Sequence, residues 1–321
     1  MSNNILAPYP DLPVNVGAGA LVLTHPQGLS DEAFVLLSAT EFHLVNLKLG
    51  GRLRLPNPPG GLTWGAGVTG LWDSSRGAAG RLYIFGPAAG PAFAWWHHFD
   101  VATWAWDVGG APNIAALTAL LAAPWGTDAA LAHPCTGVAL AASDDFVYLT
   151  GNNGLPFYRY NITEPGGTEW TTVPPAARAV AAGAGCTLAW PWGVSVDRLY
   201  SVDGGGVGTM EYHGIAGDAW AAVVPVPVWT TLPTTGTCSC TSGDGRLVYI
   251  RLNATGEVYS FNPLTLAIRP VGKVGEATGS DGTAAAATVG RKMSLWRKDG
   301  DDVLVVLVNG TPYMHGLRLR P

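Results

Sequence analysis

Short apolar runs separated by turn-forming residues recur along the whole chain. In each unit an aromatic or apolar residue is followed by Asn, Asp or His just before a turn. These polar residues are Asn46, Asp100, Asn161, His213, Asn262 and His315. Such side chains bond the backbone a few residues ahead, so we interpret all six as turn residues, with His replacing Asn in two of them.

One unit shows the predicted strands clearly. Small residues at 237–241, a β-branched and aromatic run at 246–251, a second alternating run at 257–261 and a short run at 266–268 are separated by Gly-, Asn- and Pro-containing turns. This pattern is typical of four short antiparallel strands. Strand-rich units that repeat about every 50 residues indicate the blades of a β-propeller.

The chain therefore predicts an all-β fold, a single six-bladed β-propeller of four-stranded antiparallel blades over residues 17–321. The predicted blades are about 17–59, 62–115, 130–176, 180–228, 230–274 and 277–321. An Ala- and Leu-rich stretch at about 113–124 predicts a short helical insertion. Residues 1–16 form an N-terminal arm that either closes the last blade or contacts a neighbouring molecule, and the short run Leu317–Arg320, which already offers a fourth strand, favours the neighbour.

Two stretches carry a resemblance to a known repeat. Residues 81–86 read Arg-Leu-Tyr-Ile-Phe-Gly, and residues 99–106 read Phe-Asp-Val-Ala-Thr-Trp-Ala-Trp. This aromatic-Asp-x-x-Thr-x-x-Trp order resembles the kelch-like β-propeller repeat family. The double glycine usual after the second kelch strand is absent except at Gly204-Gly205-Gly206. The resemblance implies the fold and specifies no catalytic residue.

Composition narrows the classes of function. Charged residues make up 13% of the chain and hydrophobic residues 48%, which predicts a surface partly covered by other protein subunits. The net charge is −5 without a large basic cluster, so nucleic-acid readout is disfavoured. The first residues lack a secretory signal, and no apolar run is long enough to span a membrane.

The residues most often used in catalysis or metal binding do not form a recognisable motif. Cys135, Cys186, Cys238 and Cys240 lie on or beside inner strands and are expected to be reduced and structural. The pair His97-His98 lacks a third ligand in the sequence. We therefore predict no metal, no cofactor and no catalytic residue. Fragments of an Asp-box turn at 242–245 and 279–283 keep a sialidase-like glycoside hydrolase open as a second alternative.

The first hypothesis is a non-enzymatic structural or interaction propeller. In architecture and composition the chain is similar to accessory tail and virion proteins of tailed bacteriophages, which implies other subunits of an assembly as partners. It also implies location in the virion if the chain is phage-encoded, and in the cytoplasm otherwise.

The first alternative is a carbohydrate- or peptide-binding module. Trp72, Trp190 and Trp192 are predicted on inner strands, where exposed rings could stack on a glycan. Packing between blades explains the same tryptophans equally well.

Overall fold

The computed structural model of the chain is built from β-strands and turns, and its described residues contain no α-helix. The described residues are 11–59, 64–65, 68–87, 94–107, 130–132, 146–150, 157–161, 170–172, 178, 180–181, 183, 185–194, 197–224, 227–234, 236–252, 255–274, 293–307 and 310–319. The predicted helical insertion at about 113–124 lies outside them.

The strands are short and follow each other closely, as the alternating pattern predicts. In chain order they are β1 (Leu21–Thr24), β2 (Glu32–Ser38), β3 (Glu41–Asn46), β4 (Arg52–Arg54), β5 (Thr69–Asp73), β6 (Arg81–Pro87), β7 (Ala94–Asp100), β8 (Ala105–Trp106), β9 (Ala130–Ala132), β10 (Phe146–Thr150), β11 (Phe157–Asn161), β12 (Trp170–Thr172), β13 (Thr187–Ala189), β14 (Arg198–Gly204), β15 (Val207–Gly214), β16 (Ala219–Ala222), β17 (Cys238–Thr241), β18 (Val248–Arg251), β19 (Glu257–Asn262), β20 (Ala267–Lys273), β21 (Met293–Lys298), β22 (Asp301–Leu307) and β23 (Met314–Leu319).

Consecutive strands pair antiparallel into separate sheets. Five sheets have four strands each, β1–β4, β5–β8, β9–β12, β13–β16 and β17–β20, and a further sheet, β21–β23, has three. The first strands of successive sheets contact each other, and β21 contacts β1. The first strands thus surround a common centre, which makes the fold a β-propeller.

The predicted fold of six four-stranded blades is wrong. Within the described residues the propeller has five four-stranded blades, and the sheet of β21, β22 and β23 has only three strands. The sequence-based prediction ended the third strand of that sheet at His315 and made Leu317–Arg320 a fourth strand. Instead, β23 pairs without a break along β22, from Leu307 opposite Met314 to Asp302 opposite Leu319. No turn residue interrupts it, so one strand replaces the two that were predicted.

The hydrophobic core lies between neighbouring sheets. Along β2, all five residues from Ala33 to Leu37 are buried, and they alternate between two clusters. Phe34 and Leu36 face the second blade, whereas Val35 and Leu37 face the last sheet. A strand covered on both faces needs apolar residues at every position, which explains the continuous apolar second strands.

The described part of the N-terminal arm belongs to this core. The Leu12 and Val16 N–H groups donate to the Pro312 and Thr311 carbonyls, at 2.7 Å each. Both side chains are buried, with 4% and 1% exposure, against apolar residues of β2, β3, β22 and β23. Residues 11–16 therefore pack on their own propeller, and they do not add a strand to the three-stranded sheet.

The arm's contribution can be measured by truncating one of its buried side chains. We expect Leu12→Ala to lower the free energy of unfolding by about 2–4 kcal/mol, because it leaves a cavity in the core. Val14→Ala in the same segment is the control, since Val14 is 40% exposed, and it should change stability by no more than about 0.5 kcal/mol. Equal denaturant midpoints for the two variants would contradict a structural role for the arm.

Candidate functional site

The turns between first and second strands of neighbouring sheets lie side by side at one end of the propeller. Gly193 N–H donates to the Gly245 carbonyl at 3.0 Å, and Arg297 N–H donates to the Gly28 carbonyl at 3.2 Å. Gly243 N–H points at the Asp302 carboxylate at 3.4 Å. The turns between third and fourth strands lie at this same end, because the strands alternate in direction. We call this end the turn face.

A cleft of about 390 Å³ opens between the fifth blade and the last sheet. The side chains around it are mostly polar, with several apolar ones. They are Ser242, Asp244, Leu247, Tyr249, Ser260, Arg269, Pro270 and Val271 from the fifth blade, and Arg297, Gly300, Asp301, Asp302 and Leu319 from the last sheet. Its size is at the lower end of the roughly 300–1,000 Å³ typical of small-molecule sites.

Asp302 joins the two sheets at the cleft. Its Oδ2 accepts a hydrogen bond from the Tyr249 hydroxyl at 3.0 Å, and its side chain is 15% exposed. Burial raises the pKa of Asp302 above its usual value. Burial also raises the pKa of Tyr249, and the neighbouring Asp302 charge adds to that effect. Tyr249 therefore stays protonated and donates a hydrogen bond to the carboxylate.

Arg297 lies across the backbone of the turn at Gly243. A Cβ atom at Gly243 would lie 2.2 Å from the Arg297 Cδ, a separation that only the absence of a side chain permits. Arg297 Nε is buried without a hydrogen bond and lies 3.7 Å from Asp302 Oδ1. The absence of a side chain at Gly243 thus allows the Arg297 side chain to lie on the wall of the cleft, where its guanidinium group has N–H donors without an acceptor.

The three predicted binding tryptophans do not line this cleft. Trp72 is 6% exposed and packs edge-on against Phe34, with ring centroids 5.0 Å apart. Trp190 is 3% exposed and packs in the cluster between the third and fourth blades. Trp192 is half-buried at the edge of that cluster, beneath the turn at Gly245. Packing between blades covers the rings of Trp72 and Trp190, which leaves no open face for a sugar.

Three of the six predicted turn residues make the side-chain bonds expected of them. Asn46 Oδ1 accepts from the N–H groups of Lys48 and Leu49, at 3.1 and 2.7 Å. Asn262 Oδ1 accepts from the corresponding N–H groups at 2.9 and 3.3 Å. Asp100 Oδ1 accepts from Ala102 and Thr103 at 3.0 and 2.9 Å, and the Thr103 N–H lowers the pKa of Asp100. Asn161 is the last residue of β11.

His213 occupies a different position from the one predicted. Gly214 pairs with the first residue of β14, as Asp100 pairs with the first residue of β6, so the turn position is Gly214. The missing carboxylate comes from Asp197, whose Oδ1 accepts from the Ala216 N–H at 2.7 Å. His213 is equivalent to the buried Phe99 and has no exposure.

His315 is also not a turn residue, because it is the second residue of β23 and pairs with Val306. The equivalent of Asn46 in this sheet would follow Leu319, where β23 ends. The spacing of 53 residues between Asn262 and His315 therefore does not mark equivalent positions.

The burial of His213 predicts sensitivity to acid. The ring packs on Phe157 and Trp220, at centroid distances of 4.9 and 5.3 Å, and neither ring nitrogen has a hydrogen bond within the described residues. Asp218, 3.6 Å away, and the more distant Asp197 favour the charged form, and Arg159 disfavours it. Burial outweighs them and lowers the pKa of His213 from 6.5 to about 4.

The parent chain should lose stability as the pH falls from 6.5 to 4, and we expect the variant His213→Phe not to show this loss. In this interval the unfolded chain binds a proton at His213 and the folded chain does not, so acid favours unfolding. The stability difference between the variant and the parent should grow as the pH falls, by on the order of 3 kcal/mol at pH 4. Urea titrations at several pH values measure it. A difference that is constant with pH would contradict the assigned burial.

A buried arginine that the sequence did not reveal connects the third and fourth blades. Arg178 forms an ion pair with Asp203 and donates to Glu211 at 3.2 Å, Thr150 at 2.9 Å and Ser201 at 2.8 Å. Its guanidinium also lies 4.6 Å from the Trp220 ring. Burial raises the pKa of Asp203 to about 6, although Arg178 and Thr209 favour its charged form.

The Arg178 cluster should be essential for folding. Arg178→Ala leaves two acidic side chains buried without their cation, and we expect a loss of about 3–5 kcal/mol. Arg246→Ala is the matched control, since Arg246 is exposed, and it should change stability by no more than about 0.5 kcal/mol. Chemical denaturation of both variants at pH 7 gives the comparison. A loss for Arg178→Ala as small as that of the control would show that the cluster adds nothing.

Other candidate chemistry is sparse in the part of the chain that the structure describes. Cys186, Cys238 and Cys240 are buried, and Cys135 lies outside that part. His98 Nε2 lies 2.6 Å from Asp107 Oδ2. Among the described residues no three His, Cys, Asp or Glu side chains are placed to hold a metal ion. None of the described residues forms a helix long and apolar enough to cross a membrane.

Comparisons with known proteins agree with the fold alone. No protein-family model matches the sequence, and no curated protein is similar to it. A protein of unknown function from Bacteroides thetaiotaomicron aligns with 99% of this chain and 73% of its own, at 14% identity and a TM-score of 0.60. A variant of AofleA from Arthrobotrys oligospora, with three arginines changed to alanine, aligns over 99% and 86%, at 11% identity and a TM-score of 0.59.

An enzyme is also among the similar structures. An oligogalacturonate lyase in complex with manganese aligns with 90% of this chain and 74% of its own, at 14% identity and a TM-score of 0.50. Likeness at this level of identity shows a shared β-propeller architecture, which hosts unrelated functions. The kelch-like and phage-tail resemblances have no support from these comparisons.

Proposed function

We propose that this chain is a non-enzymatic interaction propeller that docks through its turn face into a larger assembly, such as a bacteriophage tail or virion. The observation that carries the proposal is a set of large apolar side chains exposed at turn tips. Leu49 is 81% exposed, Leu264 71%, Leu29 68% and Trp104 44%. These residues belong to turns of the first, second and fifth blades and point to a broad contact surface.

The energetics favour covering these side chains. Burial of apolar surface contributes about 25 cal/mol per Å², so several leucines on one face provide a substantial driving force for association. The low charged fraction of 13% supports the same view, since few charges would have to be desolvated. In this proposal the partners are other protein subunits, and the chain is located in the virion if a phage encodes it and in the cytoplasm otherwise.

The proposal that the chain is not an enzyme rests on the state of the carboxylates in the cleft. A glycoside hydrolase needs a pair of carboxyl groups that can reach the substrate. Here Asp301 is held by Arg318 at 2.5 Å, and Asp302 is held by Tyr249. Asp244 Oδ1 is bonded to the Ser242 hydroxyl at 2.7 Å and to the Arg246 N–H at 3.0 Å. Internal bonding of this kind suits a structural turn better than proton transfer to a substrate.

The test is incorporation into particles. We expect particles purified from the source of this sequence to contain the chain in a fixed proportion, as measured by mass spectrometry. The double variant Leu49→Asp, Leu264→Asp should fold with an unchanged melting temperature and be depleted from particles by about tenfold or more, since each exposed leucine contributes about 1 kcal/mol or more on burial.

Leu53→Asp is the matched control for this experiment, because Leu53 is 44% exposed on the outer strand β4, away from the turns. It should be incorporated like the parent chain. Absence of the parent from every purified particle, or normal incorporation of the double variant, would refute docking through the turn face.

A further inference from the structure

The cleft between the fifth blade and the last sheet contains an imbalance between acceptors and donors. Its formal charges come from Asp244, Asp301 and Asp302 and from Arg269 and Arg297, with Arg318 beside Asp301. As described above, each aspartate already accepts hydrogen bonds or an ion pair from its own neighbours. The acidic groups therefore have little capacity left for a ligand.

The two arginines of the cleft have more N–H donors without an acceptor than the aspartates have oxygens without a donor. Arg269 is exposed on β20 and makes no hydrogen bond or ion pair within the described part of the chain. Arg297 Nε is buried and lies 3.7 Å from Asp302 Oδ1, but its Nη2 reaches only the Gly300 carbonyl at 3.4 Å, and the side chain is 36% exposed. A guanidinium carries five N–H donors in a planar fork that matches a carboxylate. Donors on both walls are thus available to an anionic group.

The rest of the wall suits a ring that is partly apolar. Leu247 and Val271 from the fifth blade and Leu319 from the last sheet line the same cleft as the arginines, together with the Ser260 side chain. A volume of about 390 Å³ has room for one or two sugar rings and is small for a folded peptide segment. The apolar side chains can pack against the C–H face of a sugar ring, and the hydroxyl groups of the sugar can form hydrogen bonds with Ser260.

We infer that this cleft binds an acidic sugar, one or two rings long, whose carboxylate lies between Arg269 and Arg297. The ring lies against Leu247 and Val271, and its hydroxyl groups bond polar groups of the wall. This inference is independent of the proposed docking through the turn tips, because none of the exposed apolar residues named there lines the cleft. It also differs from the tryptophan site predicted from the sequence, since no tryptophan is among the lining residues.

Isothermal titration calorimetry on the full chain tests the inference, with D-galacturonate and D-glucuronate as probes. We expect saturable binding of at least one uronate in the millimolar range or tighter, and no binding of neutral D-galactose under the same conditions. Arg269→Gln should weaken uronate binding about tenfold or more, because it removes the charge and the planar fork of donors that bind a carboxylate. Arg269 is exposed, so this variant should keep the parent's melting temperature.

Two further variants distinguish the effect of net charge on uronate binding from the effect of where the arginine side chains lie. Lys48→Gln makes the same charge change on an exposed turn of the first blade, and it should leave uronate binding unchanged. Gly243→Ala should weaken binding by displacing the Arg297 side chain while keeping its charge. Undetectable uronate binding, equal affinity in Arg269→Gln and the parent, or equal affinity for neutral galactose would overturn the inference. Inorganic phosphate bound as tightly as the uronates would also overturn it, since the cleft would then hold any small anion.

Discussion

The packing of each sheet on the next is the interaction on which the rest of this structure depends. Sheets covered on both faces need apolar residues throughout their second strands, as in the buried run Ala33–Leu37 of β2. Two buried polar features of this layer are the bonded set of partners around Arg178 and His213, whose pKa is lowered by its burial among aromatic rings. Most other charged side chains lie in turns, at strand ends or on outer strands. The packing therefore leaves the turns, the outer strands and the clefts between blades as the accessible surface.

The sequence predicts the features that arise from local bonding. Asn46, Asp100 and Asn262 bond N–H groups two and three residues ahead, so their signature lies within a short stretch of sequence. Four-stranded units follow from the same turns. The prediction placed the turn one residue too early at His213, because the fourth blade takes its capping carboxylate from Asp197, sixteen residues earlier than His213. A cap donated from another loop leaves no local signal.

Features built from distant residues could not be predicted from the sequence. Arg178 bonds side chains 23 to 33 residues away in the sequence, on three strands, and only the packing of two sheets brings them together. The cleft has the same origin, since Arg269 and Arg297 belong to different sheets. Asp203 and Glu211 are acidic residues on β14 and β15, but nothing near them in the sequence identifies Arg178 as their partner.

The turns between third and fourth strands share one backbone shape but differ in their side chains. In the first, second, fourth and fifth blades this turn has a residue with positive φ at the same place, Gly50, Trp104, Asp218 or Leu266, with angles of 76°, 54°, 46° and 55°. Glycine adopts this conformation freely, whereas other residues lose about 1 kcal/mol or more. The Asn or Asp side chain fixes the turn backbone in the same shape whether or not that residue is glycine. Because the backbone is held by the capping bonds, side chains at the tips can change without loss of the blade. The described turns of this type therefore keep one backbone shape with different side chains at their tips.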